Sequence, residues 1–71
     1  MKIDELKRVA KENGYGYAKS FGEHNLLCED NLNKITINEE YINMIFIRNT
    51  ICRENDMNMI KASIEFAETP P

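Results

Sequence analysis

The sequence contains no tryptophan, a single histidine and two cysteines, and these scarcities exclude most catalytic and metal chemistry. One imidazole cannot build a two-histidine zinc site, and it has no placed nucleophile to serve as a triad base. His24, Cys28 and Cys52 follow no recognised metal-ligand spacing, and the two thiols lack a CxxC arrangement. Two reduced, half-buried cysteines are therefore expected, with no disulfide, metal or cofactor, and His24 reads as a surface hairpin residue. Glycine and proline are also scarce, so the chain holds no flexible linker or low-complexity tract. Gly14-Tyr15-Gly16 follows a helical pattern and lacks the third glycine and the lysine of a phosphate-cradling loop. No stretch approaches the roughly 20 apolar residues of a membrane span. Met1-Lys2-Ile3-Asp4-Glu5 lacks the apolar run of a signal peptide, and a cytoplasmic, soluble protein is expected.

Positive charge is in short supply as well. Nine basic residues face twelve acidic ones, which argues against neutralisation of duplex phosphates. The acids are scattered, so a DNA mimic has little support either. Asp4-Glu5, Glu29-Asp30, Glu39-Glu40 and Glu65/Glu68 pair carboxylates on helix surfaces or in turns. Acid–base catalysis instead needs two carboxyls in unlike surroundings within a cleft. No catalytic residue is expected, and binding is the expected mode of action.

What remains is an ordinary globular composition in 71 residues, enough for one small domain over residues 1–71 and no second core. A core this thin often needs a partner to supplement it. Ile3, Leu6, Val9 and Ala10 recur at three and four, predicting a helix over about 2–13 that stops at Asn13-Gly14. Tyr15 to Phe21 alternates large and small, and 24–29 forms a second short run after Gly22-Glu23. Asp30-Asn31-Leu32-Asn33 is turn chemistry, and β-branched Ile35-Thr36-Ile37 reads as a third strand. Tyr41 to Ile47 is the longest apolar run and reads better as a strand than as a helix. The last segment is helical, capped by Asn55 or Asp56 and ended by Thr69-Pro70-Pro71. Met57, Met59, Ile60, Ser63, Ile64, Phe66 and Ala67 fill one half of its wheel, and Ala62 falls on the other.

The predicted fold is α+β in two layers: helix, antiparallel meander of three or four strands, helix, with both helices on one sheet face. In the strand 41–47, Ile42, Met44 and Phe46 share one side while Tyr41, Ile45 and Ile47 share the other. A half-exposed strand should alternate apolar with polar, and this one is apolar on both sides. Either the uncovered face is an interface, or the strand is central and shielded by the loop Asn49–Glu54. Ile42, Met44 and Phe46 are the candidate partner-binding residues, with Tyr17 and Phe21 adjoining. Two alternatives rest on other residues. Tyr15, Tyr17, Lys19 and Phe21 could stack single-stranded nucleic acid if they are not core. A dimeric sponge for a small nucleotide would use Arg48 and Arg53 on phosphate.

Met57-Asn58-Met59-Ile60-Lys61-Ala62-Ser63-Ile64-Glu65-Phe66-Ala67-Glu68-Thr69-Pro70 resembles the ending of small uncharacterised phage and prophage proteins of Gram-positive bacteria. Asp4-Glu5-Leu6-Lys7-Arg8-Val9-Ala10-Lys11-Glu12-Asn13-Gly14-Tyr15 is similar to their usual start. The resemblance implies an accessory phage product that binds and inhibits or modulates a host protein, defence systems included, or a phage protein. A homodimer is a compatible arrangement. Neither stretch is a catalytic signature.

Overall fold

A computed structural model describes residues 1–70, so Pro71 lies outside the described residues. Helix α1 spans Ile3–Glu12 and buries Leu6 and Ala10, with Asp4 and Glu5 in its first turn, where the helix dipole favours acids. Asn13 donates from its side chain to the Val9 carbonyl at 2.8 Å, and Gly14 turns the chain at φ +76°. Strands β1 (Tyr15–Ser20), β2 (Glu23–Cys28), β3 (Lys34–Asn38) and β4 (Ile45–Arg48) follow, then helix α2 (Glu54–Glu68). The strands form one antiparallel meander in the order β1-β2-β3-β4, so β4 is an edge.

Register decides which side chains the helices cover. Tyr17, Leu26, Ile35 and Ile47 form one cross-strand row, with Lys19, His24, Ile37 and Ile45 beside it on the same face. Leu26, Ile35 and Ile37 are fully buried there against Leu6 and Ala10 of α1 and Met59, Ala62 and Ala67 of α2. Both helices thus lie on one face of a two-layer α+β fold, as the patterning predicts. The other face carries the row Ala18, Asn25, Thr36 and Phe46.

Three elements depart from the sequence-based expectation. The strand predicted over 41–47 begins only at Ile45, because the Asn38 side chain accepts from the backbone N–H groups of Glu40 and Tyr41 at 2.8 and 3.0 Å. That Asx turn bends the chain, and Asn43 follows in the left-handed region at φ 62° with its N–H on the Ala67 carbonyl at 2.8 Å. Second, the buried stripe of α2 is rotated to Asp56, Met59, Ala62, Ser63 and Ala67, while Met57 and Ile64 stand exposed. Third, Asp56 does not precede α2 as its cap. It is the third helical residue and accepts the Arg53 backbone N–H at 2.9 Å. Among the described residues no helix is long and apolar enough to cross a membrane.

Candidate functional site

The sheet has two edges, β1 and β4, and the hydrogen-bonding phase of β4 follows from one contact. The Asn38 N–H donates to the Met44 carbonyl at 2.9 Å, which makes 38 and 44 a hydrogen-bonded pair. Antiparallel pairs alternate, so Thr36 and Phe46 also exchange bonds, and the N–H and C=O groups of Ile45 and Ile47 point away from β3. No other backbone or side-chain group among the described residues bonds to them. Around this open edge the side chains are apolar and accessible: Ile42, Met44 and Phe46 are 49%, 52% and 63% exposed, and Tyr41 and Ile51 are exposed too. From Tyr41 to Ile47 there is no charge to discourage strand addition.

The expected interface is therefore narrower than a whole sheet face. Asn25 occupies the middle of the uncovered face, donating to the Ser20 hydroxyl at 3.3 Å and accepting from Thr36 Oγ1 at 3.0 Å. This polar row separates Phe46 from β1. Ile42 and Met44 lie in the bend before β4 rather than in a strand, so they flank the edge and do not line the face. The shielding role proposed for Asn49–Glu54 is absent, since Phe46 and Tyr41 remain exposed.

Tyr17 does not adjoin this surface. It lies on the helix-covered side, half-buried, with its hydroxyl 2.6 Å from His24 Nδ1. Phe21 occupies the two-residue turn between β1 and β2, where Phe21 and Gly22 take φ values of 50° and 74°. Two successive left-handed residues make this a type I′ hairpin, which ordinarily takes Asn-Gly or Asp-Gly. A fully exposed Phe at that position is strained and packs on nothing in the monomer. The Gly22 carbonyl accepts the Glu39 N–H at 3.0 Å, which sets the Phe21 turn at the same end of the sheet as the bend before β4.

Tyr15, Tyr17, Lys19 and Phe21 do not form one open stripe. Tyr15 is buried, Lys19 is 2.8 Å from Glu39, and Phe21 lies in the turn. Of the two arginines considered for phosphate, Arg53 is held by Asp56 at 3.0 Å and lies 3.6 Å from Asp30, and Arg48 ends β4. Cys28 is buried, Cys52 is exposed and both are free, so the thiols are not the half-buried pair expected.

His24 is the clearest correction, being 9% exposed instead of a surface hairpin residue. Its sequence parity with Leu26 and Cys28 placed it on the covered face, a signal available once the turn is fixed at Phe21-Gly22. Phe66 meets the ring edge-on with centroids 5.2 Å apart. Burial pulls the His24 pKa below its ordinary value, against a smaller opposing pull from Glu39. Burial likewise raises that of Tyr17. The Tyr17 hydroxyl and His24 Nδ1 thus share one hydrogen bond across the covered face.

Asp56 was also missed. It is fully buried at the start of α2, yet each of its oxygens is served. Tyr15 Oη donates at 2.6 Å and Asn33 Nδ2 at 3.2 Å to Oδ1, while Arg53 donates from its backbone N and Nε to Oδ2. Burial alone would raise its pKa, but these donors hold the carboxyl well below the usual carboxylate range. Tyr15 is pushed up to about 12 by burial first and then by its bond to Asp56. Asn33 extends the cluster to the loop after β4, donating to the Ile51 carbonyl at 2.7 Å and accepting the Thr50 N–H at 3.0 Å. The cluster fastens that loop and α2 beneath the sheet. A carboxylate so fully engaged is a structural anchor, not a free base.

Among the described residues no group of three or more potential ligands could hold a metal ion. Comparison with protein-family models, with curated proteins and with solved structures finds no match.

Proposed function

We propose that this chain is a small phage-encoded, non-enzymatic interaction protein of the host cytoplasm. It binds a host or phage protein, host defence factors included, and inhibits or modulates it. The observation that carries this reading is the β4 edge, where unpaired backbone groups of Ile45 and Ile47 lie beside exposed Phe46, Met44 and Ile42. Such an edge takes an extended segment of a partner as a fifth strand, with main-chain bonds supplying affinity and side-chain contacts supplying selectivity. Phe21 supports the same reading: strain without packing at an exposed aromatic is a feature of contact sites.

A second copy of the chain is the other occupant favoured by a specific observation. Antiparallel pairing of two β4 strands about Phe46 sets Ile45 opposite Ile47 of the second copy, with all four of their outward groups bonded. Neither Arg48 then faces a like charge, because each lies opposite Met44. The deciding experiment is affinity capture from host lysate with the native chain and a Phe46→Asp variant, beside molar mass by light scattering. A defined protein held by the native chain and lost by the equally folded variant supports docking at β4. Equal retention by both overturns it, and a doubled mass that Phe46→Asp halves assigns the edge to self-pairing.

A further inference from the structure

We infer that the cleft between the start of α1, the end of α2 and the ends of β1 to β3 binds a small organic anion that carries a flat ring. This site shares Tyr41 with the surroundings of the β4 edge but does not depend on the docking reading. The cleft encloses about 690 Å³, within the range of small-molecule sites. Its walls carry four rings from four elements or loops: Tyr17, His24, Tyr41 and Phe66. An apolar, aromatic lining of this kind accepts a planar group by offset or edge-on stacking.

Charge sets the other half of the ligand's character. Lys2, Lys7 and Lys19 border the cleft together with Asp4 and Glu39. Lys19 and Glu39 satisfy one another at 2.8 Å. Lys2 and Lys7 form no ion pair among the described residues, so they outnumber Asp4 by one. The cleft is thus locally positive in a chain whose formal charge is −3. Lys7 is aimed over the Tyr17 ring, its ammonium 4.9 Å from the centroid, which holds a cation beside an aromatic surface.

Hydrogen-bonding capacity points the same way. The ammoniums of Lys2 and Lys7 and the Tyr41 hydroxyl supply donors. The Asn38 side-chain oxygen is already occupied by the N–H groups of Glu40 and Tyr41. Two unpaired ammoniums against the one free carboxylate of Asp4 suit a small anion such as an aromatic carboxylate or a monoaryl phosphate. The Asp56 cluster, by contrast, is fully engaged within the fold and offers no such vacancy.

The test is a titration followed by NMR at the His24 ring and the Tyr17 and Tyr41 side chains. Benzoate and phenyl phosphate are the probes, acetate supplies charge without a ring, and benzylammonium supplies the ring with opposite charge. Saturable shifts with benzoate or phenyl phosphate, in the millimolar range or tighter, are expected, with both controls at least several-fold weaker. Whichever of the two anions binds more tightly names the acidic group. Lys7→Gln, at an exposed position, should lower that affinity several-fold, while Phe46→Asp should leave it unchanged. Absence of saturation, equal binding of benzoate and benzylammonium, or indifference to Lys7→Gln would each overturn the inference.

Discussion

The start of α2 and the edge of β4 invert the usual distribution of polarity in opposite senses. At the first, a carboxylate and an amide are buried, with Asp56 and Asn33 inaccessible to solvent. At the second, Phe46, Met44 and Ile42 are left in water. Exposed apolar and buried polar groups are the informative exceptions in a small fold. The difference lies in completion. Asp56 draws its partners from β1, the β2–β3 loop and the residue that precedes its own helix, whereas the outward groups of β4 find none among the described residues. One end is a finished lock, and the other is half of a contact.

Breaking the lock should have the largest effect on stability. Asp56→Ala strands the Tyr15 hydroxyl and the Arg53 and Asn33 donors, and a loss of about 2–4 kcal/mol is expected in urea unfolding. A loss below about 1 kcal/mol would mean that the cluster is incidental. Acid probes the same group. Because the folded pKa of Asp56 is depressed, its contribution is fully present above the unfolded carboxylate pKa near 4 and is lost as pH falls below it. His24, also depressed in the fold, adds a shallower decline that starts as pH falls through about 6.5. Thermal melts from pH 8 to pH 3 should show both phases, and Asp56→Asn should remove the lower one.

The fold class, an antiparallel meander of three or four strands and both helices were legible because each rests on short-range periodicity. Leu6 and Ala10 follow a helical spacing, and Ile35 and Ile37 follow an extended one. The partner-binding candidates Ile42, Met44 and Phe46 were legible as apolar residues in excess of what two helices can cover. Their geometry was not, because Asn38 and Asn43 divert the chain through side-chain and left-handed backbone preferences that a hydrophobic pattern does not register. The burial of Asp56 and His24 was hidden for another reason. A polar side chain can enter a core only when distant residues supply partners, and Tyr15 lies 41 positions from Asp56.

Smaller effects sharpen the β4 side of the comparison. Phe21→Asn relieves the left-handed strain and should stabilise the monomer by about 0.5–1 kcal/mol while weakening partner capture. A destabilised variant would place Phe21 in the monomer's own packing. The double replacement Met44→Ser with Phe46→Ser should change unfolding free energy by no more than about 0.5 kcal/mol and abolish capture. A drop of several kcal/mol would make both residues core.

The most direct test is amide hydrogen exchange of β4 at a concentration where light scattering shows a monomer. The Ile45 and Ile47 amides should exchange far faster than that of Phe46, which is bonded to β3, and should become protected when the partner is added. Equal protection of all three in the isolated monomer would contradict a free edge and with it the docking site.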